Sequence, residues 1–257
     1  MAFINVCTNT IFDFKLSTNW PLFVECEKRL RNEGDFLLSN LKKYKKGLIF
    51  DAALGIGCES VFLLRNNFKV ISNEFYPNLI PFALDRAQKN HVNLDIKSYD
   101  WRKLEFSVSP KTFDAIILLG NGICMLREIN VIRDALNQQF NIIKHGGCLI
   151  IDERNYQYIL DEKEEILKGN FRYSGDYIYC GKLVKGRPIE IDSTNVCFGY
   201  FTSDGELVGT IDTYPFASGE LFDLLENVGF TNIKTYSNFK EEKNPNADFY
   251  TYVAFKE

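Results

Sequence analysis

The segment that most restricts the fold is Gly47-Leu-Ile-Phe-Asp51-Ala-Ala-Leu-Gly55-Ile-Gly57, followed by the apolar stretch from Glu59 to Asn66. A short apolar run bounded by glycines has the length and content of a strand buried on both faces. The glycines after it permit a tight turn, and the stretch behind them has helical periodicity. Strand, turn and helix in that order open a βαβ unit. The pattern then recurs. Lys69-Val-Ile-Ser-Asn-Glu74 reads as a second strand, Pro77 to Lys89 as a helix and Leu94 to Tyr99 as a third strand. Phe113 to Leu119 gives a fourth strand, Ile129 to Lys144 a helix and Gly147 to Asp152 a fifth strand. This alternation predicts an α/β fold: a mostly parallel, doubly wound, Rossmann-like sheet covered on both faces.

The flanks read differently. Thr18 to Leu41 sets Leu22, Phe23, Leu30, Phe36 and Leu37 among charges, which predicts one or two amphipathic helices and an N-terminal helical cap over 1–46. Beyond 167 come short β-like runs at Phe171 to Tyr173, Asp176 to Cys180, Ile189 to Ile191, Val196 to Phe201 and Leu207 to Ile211. Ser203-Asp-Gly-Glu206 is a hairpin signal among them, because the glycine supplies a positive φ. An antiparallel β lid is therefore expected over 168–212, inserted into a core made of 47–167 and 213–257. That core resumes with a helix from Ser218 to Val228, stopped by Gly229. Strands at Ile233 to Tyr236 and Phe249 to Phe255 follow, expected as a hairpin at the sheet edge, with the polar stretch Lys240 to Ala247 as their loop.

Charge and cysteine content narrow the function classes. The 257-residue chain carries a formal net charge of −4 with its Lys and Arg spread along it, so no large basic face for nucleic acid is expected. Lys42 to Lys46 fits the C-terminal end of a helix. No stretch reaches the roughly 18 to 20 apolar residues of a membrane span, and Met1 to Cys7 lacks the regions of a secretion signal. The seven cysteines form no CxxC pair and no Cys/His set of zinc-site spacing. Reduced thiols in a cytoplasmic protein without a metal site are expected. His91 and His145 fall in loop-like segments and are expected at the surface.

Asp51 to Gly57 admits two readings, a turn that merely closes a βα unit and a backbone cradle for a ligand at a helix N-terminus. Glu74 favours the second. It ends the second strand 23 residues after Asp51, where a carboxylate in such folds accepts hydrogen bonds from ribose hydroxyls. A dinucleotide is not favoured, since Gly55-Ile-Gly57-Cys-Glu-Ser60 lacks the third glycine of that fingerprint. Asp100-Trp101 follows the third strand at the same rim, as an adenine contact or as a helix cap beside a core tryptophan. Leu119-Gly-Asn121-Gly ends the fourth, where small residues keep space open.

Taken together, Asp51 to Ser60, Ser-Asn-Glu74, Asp100-Trp101-Arg, Phe113 to Asn121 and Asp152-Glu-Arg154-Asn-Tyr156 resemble glycine N-methyltransferase and the bacterial and archaeal glycine/sarcosine N-methyltransferases. Tyr173-Ser-Gly-Asp176 and Tyr214-Pro215 extend the resemblance. It implies a methyltransferase of small amines or amino acids such as glycine, sarcosine or dimethylglycine, with S-adenosylmethionine as cofactor and S-adenosylhomocysteine as product. It further implies that Ala53, Glu74, Asp100, Trp101 and Leu119 contact the cofactor beside the Asp51, Gly55 and Gly57 turn, and that Arg29 holds its methionine carboxylate. On the substrate side it implies Arg154 and Asn121, with Tyr173 and Tyr214.

The residues themselves support Arg154, because it lies just past the fifth strand and a guanidinium takes a carboxylate through two parallel hydrogen bonds. The bland reading of an arginine there is a surface ion pair. Three positions depart from glycine N-methyltransferase: Gly122 stands in place of Ser, Met125 in place of His and Ser193 in place of Tyr. Those departures motivate a second reading, a protein that binds the cofactor without turnover. A methyltransferase of RNA or protein is a third, against which the acidic charge and the expected lid both argue.

Overall fold

The structure, a computed structural model, describes residues 13–171 and 185–257. The predicted strand at Asp176 to Cys180 and nearly all of that at Phe171 to Tyr173 lie outside them, as does Tyr173. Asp13 caps the first helix, α1 (Phe14–Phe23), its side chain accepting from the Leu16 amide at 2.7 Å. The backbone extends at Val24 and Glu25 before α2 (Cys26–Leu41), so the predicted cap is two helices.

β1 (Leu48–Asp51), α3 (Cys58–Arg65), β2 (Lys69–Asn73), α4 (Ile80–Lys89), β3 (Ile96–Lys97), β4 (Phe113–Leu118), α5 (Ile129–Ile142) and β5 (Ile143–Arg154) follow in the expected alternation. Next come α6 (Tyr156–Asp161), α7 (Lys163–Leu167), β6 (Lys185–Ile191), β7 (Val196–Phe201), β8 (Leu207–Thr213), α8 (Glu220–Val228), β9 (Thr231–Ser237) and β10 (Phe249–Lys256).

The strands form a seven-stranded sheet in the order β3-β2-β1-β4-β5-β10-β9 and a separate three-stranded sheet, β6-β7-β8. β1 to β5 run parallel, whereas β10 pairs antiparallel with both β5 and β9. After β3 the chain crosses back to place β4 on the other side of β1, so the strand order switches between β1 and β4. The crevice at the carboxyl ends of such strands is where ligands bind in doubly wound folds.

Alternation within the strands explains why they read as unbroken apolar runs. Phe50, Ile116, Leu118, Leu149 and Ile151 enter a core under α5 and α8, while Ile49, Ala115, Ile117 and Ile150 enter a second core under α2 and α3. α5 meets the first core with Ile132, Ala135, Leu136, Gln139 and Ile142, one face at helical spacing. A third cluster joins α1 (Leu16, Phe23) to the glycine turn (Ile56), to Leu79 and to β8 (Val208, Ile211). Gly209 of β8 lets α1 approach closely, since a Cβ there would sit 3.1 Å from Leu16 Cβ.

Two expectations are corrected. The third strand is only Ile96–Lys97, because it is an edge strand paired with β2 at two positions and the chain is then turned inward when the Asn73 side chain accepts from the Tyr99 amide at 2.6 Å. The final two strands do pair as the expected antiparallel hairpin at the sheet edge. β10 is inserted beside β5 over eight paired positions, and β9 alone forms that edge. The cysteines are not all reduced thiols, for Cys26 at the start of α2 and Cys58 at the start of α3 form a disulfide with Cα atoms 5.3 Å apart. Cys124, Cys148 and Cys197 are free and buried.

Candidate active site

The Asp51–Gly57 turn leaves β1 at the carboxyl rim. Gly57 has φ +84°, and a Cβ there would lie 3.2 Å from the Cα and Cβ of Ala83 on α4, so the turn closes only with glycine. Gly55 has φ +54° and no atom within 4 Å of where its Cβ would be, which leaves open space above the backbone. The Asp51 carboxylate braces the turn from below, accepting from Ser60 Oγ at 2.6 Å and from the Ala53 amide at 3.3 Å. Burial pushes Asp51 up to about 7, with the nearby Glu59 carboxylate adding to it.

Glu74 points at the same turn. Its two oxygens accept from the Gly55 amide at 2.7 Å and the Tyr76 amide at 2.8 Å. Burial pushes it up to about 7 against those hydrogen bonds. Each carboxylate oxygen has a further lone pair, so Glu74 can brace the turn and still accept from a ligand hydroxyl. The Trp101 indole donates to the Ala52 carbonyl at 2.9 Å, and a Cβ on Gly122 would meet that ring at 3.2 Å. Trp101 therefore packs between the loops after β1 and β4. Asp100 is turned aside: it caps the following turn through the Arg102 amide and pairs with the Arg102 guanidinium at 2.6 Å. Burial raises the Asp100 carboxyl, but these contacts outweigh it and hold it below its ordinary value.

The loop after β4 is the second focus. Gly120 and Asn121 both take positive φ, +84° and +64°, and their amides donate to the buried Asp152 carboxylate at 3.1 and 2.7 Å. Leu119 is buried beside them. The Asn121 side chain is a junction. Its amide nitrogen donates to the Tyr156 hydroxyl at 2.6 Å, and its oxygen accepts from the Arg154 amide at 3.0 Å and from Cys124 Sγ at 3.1 Å. Arg29 reaches this loop from α2, with Gly120 beside its guanidinium. It is buried against Glu33 at 3.1 Å and ion-paired with Glu59 of α3. Burial drives Glu33 well above its ordinary value, Arg29 opposing and Glu59 reinforcing the shift.

Arg154 ends β5. Its guanidinium carbon lies 4.5 Å from the Phe198 ring centre and 4.8 Å from that of Phe249, within cation–π range of both. Tyr214 follows β8, its amide donating to the Cys124 carbonyl at 2.8 Å and its hydroxyl to Glu220 at 2.9 Å. Burial and the Glu220 carboxylate push its hydroxyl up to about 12.

The sequence-predicted residues thus gather in two foci. Asp51, Ala53, Gly55, Gly57, Glu74 and Trp101 surround the first turn, while Arg29, Leu119, Asn121 and Arg154 surround the second, with Tyr214 tied in through Cys124. Of the three departures, Gly122 is buried under Trp101, Met125 packs with the α1 cluster and Ser193 is exposed in the turn between β6 and β7. His91 and His145 are both exposed. No metal-holding cluster and no helix long and apolar enough to cross a membrane occurs among the described residues.

Several organising residues escape sequence reading. Buried Asn73 ties the ends of β1 and β2 to the third loop through the Ala52 and Tyr99 backbones; a polar residue closing an apolar strand was its only signal. Phe198 and Phe249 carried none, since each reads as one more strand aromatic.

No family model matches the chain. Among curated proteins it is 33% identical over 239 residues to the glycine/sarcosine N-methyltransferase of Parasynechococcus marenigrum, covering 93% of this chain and 82% of that one. Among solved structures it is similar to a Pyrococcus horikoshii protein (TM-score 0.68, 18% identity, 96% of this chain and 100% of the other). It is also similar to an S-adenosylmethionine-dependent methyltransferase of Clostridium acetobutylicum (TM-score 0.64, 16% identity, 88% and 91%). These structural likenesses agree with the Rossmann-like sheet.

Proposed function

This chain belongs to the family of glycine/sarcosine N-methyltransferases, and from that premise we propose how its two foci divide the work and which acceptor they suit. The chain is an S-adenosylmethionine-dependent enzyme that methylates the nitrogen of a small amine and releases S-adenosylhomocysteine. In our reading the acceptor is a small amino acid, such as glycine, sarcosine or dimethylglycine, rather than a nucleic acid, and the enzyme works in the cytoplasm.

The first focus fits a nucleoside. The open space over Gly55 admits close approach, Glu74 has lone pairs to spare for ribose hydroxyls, and Trp101 offers an apolar wall. Arg29 is assigned to the methionine end, with Ala53 and Leu119 at the rim and Asp100 on the adenine side beside Trp101. When bound, S-adenosylmethionine supplies a methyl group already activated by a sulfonium. What the chain's own residues add is alignment and exclusion of water, which in well-oriented systems are together worth ~7–11 kcal/mol. α1 and the three-stranded sheet, joined through Leu16 and Gly209, serve as the cover.

The second focus fits an amino acid. Arg154 would take its carboxylate by two parallel hydrogen bonds, Asn121 holds the Arg154 backbone in place, and Tyr214, with Tyr173, would surround the amine. The observation that carries this assignment is the placement of Arg154 at the rim, fixed at its amide by Asn121 and at its guanidinium by two buried rings. The test is Arg154→Ala assayed with glycine and sarcosine. The expected outcome is a KM for the amino acid raised tenfold or more with the KM for S-adenosylmethionine little changed; an unchanged amino-acid KM and rate removes Arg154 from the substrate site.

A further inference from the structure

Arg154 is held by residues from both sheets. Phe198 belongs to β7 of the three-stranded sheet and is 2% exposed; Phe249 opens β10 of the seven-stranded sheet and is fully buried. Phe249 is also the register partner of Arg154 across the β5–β10 ladder, so its ring is set beside the arginine by backbone pairing. Phe198 comes from the other sheet, 44 residues further along the chain than Arg154, and reaches the same guanidinium.

A guanidinium offers its N–H groups in its own plane and its charge to ring faces above and below that plane. Contacts with rings can therefore fix the orientation of the group without consuming its donors. An unfixed arginine would lose side-chain freedom when it grips a carboxylate, whereas one already oriented loses less.

We propose that Phe198 and Phe249 are positioning residues for Arg154, and that through Phe198 the three-stranded sheet sets the selectivity for acceptors bearing a carboxylate. This rests on the assignment of Arg154 to the acceptor carboxylate. Neither ring touches the acceptor; both act through the guanidinium. Phe198 is the informative one, because Phe249 is also committed to the sheet ladder and the core under α2.

The test compares Phe198→Leu, which keeps apolar bulk without a ring, with Phe198→Tyr, which keeps the ring, each in the wild-type and Arg154→Ala backgrounds. The readouts are KM and kcat for glycine and KM for S-adenosylmethionine. Phe198→Leu is expected to raise the glycine KM roughly tenfold, the scale of a desolvated cation–π contact, with the S-adenosylmethionine KM held. Phe198→Tyr should restore most of the loss. In the Arg154→Ala background Phe198→Leu should add little, since contacting residues that act as one unit are not additive. Should Phe198→Leu fail to fold, Phe198→Met carries the same comparison.

Full additivity of the two substitutions, or equal losses in the Leu and Tyr variants, would reduce Phe198 to packing and overturn the proposal. If Arg154→Ala itself leaves the glycine KM unchanged, the assignment of Arg154 fails, and the positioning role falls with it. If Arg154→Ala raises the KM while Phe198→Leu does not, the assignment stands and only the positioning role is lost.

Discussion

Asn121 sits at φ +64°, a left-handed conformation that asparagine adopts more readily than most residues. That geometry aims its side chain back under the loop, where Tyr156, Arg154 and Cys124 all meet it. Asn121 thus reads as the residue that sets Arg154, as much as one that faces an acceptor. Tyr156→Phe tests this. It removes the acceptor of a buried amide hydrogen, a loss of about 1–3 kcal/mol. We expect a lower Tm and a kcat reduced roughly tenfold, a factor equivalent to about 1.4 kcal/mol, with S-adenosylmethionine binding retained. Unchanged kinetics would show that Asn121 keeps its place without Tyr156. The sequence made Asn121 and Arg154 visible because they stand at strand ends and in a motif. It did not show that one holds the other, since a side chain meeting a backbone amide 33 residues away leaves no periodic trace.

Helices α2 and α3 bring the two foci together: α2 carries Arg29, and α3 stands behind the glycine turn. The Cys26–Cys58 disulfide joins their first residues, closing a loop with a sequence separation of 32. Loop-closure entropy for such a span stabilises by about 3–4 kcal/mol at most. Dithiothreitol, or Cys26→Ser, should lower the Tm by several degrees and weaken binding of S-adenosylhomocysteine measured calorimetrically. A Tm indifferent to reductant would show that packing alone fixes α2 on α3. At this scale, β1 to β5 and their helices were legible because each announces itself locally through apolar runs and punctuating glycines. β10 was legible as a strand but not as a neighbour of β5, and Cys26 and Cys58 were visible only as two cysteines among seven. Pairing over long separations is decided by tertiary packing, which local pattern does not encode.

Over the whole molecule the buried carboxylates set the response to pH. Burial pushes Asp51 and Glu74 up to about 7 and Glu153, which accepts from the Tyr252 hydroxyl at 2.5 Å, up to about 8. The folded chain keeps these protons where the unfolded chain, with ordinary carboxylates near 4, has released them. Their contribution is therefore full below about pH 4 and is lost as pH rises through 7 to 8. Without ligand, the Tm should be lower at pH 8 than at pH 6, by about 1 kcal/mol of stability for each such group, and Glu74→Gln should flatten part of the slope. A Tm that rises over this range would count against buried acids at the site. The order of strands has a consequence of another kind, in how the chain is made. Phe249, one of the rings over Arg154, is synthesised 95 residues after it, and until β10 emerges from the ribosome β5 presents an open edge in its place. A nascent or truncated chain that ends before β10 therefore carries a complete glycine turn but half of an arginine clamp, beside an edge that invites pairing with other chains. Such a fragment could hold the cofactor's end of the site and still be inert, and its fate would fall to chaperones and proteases.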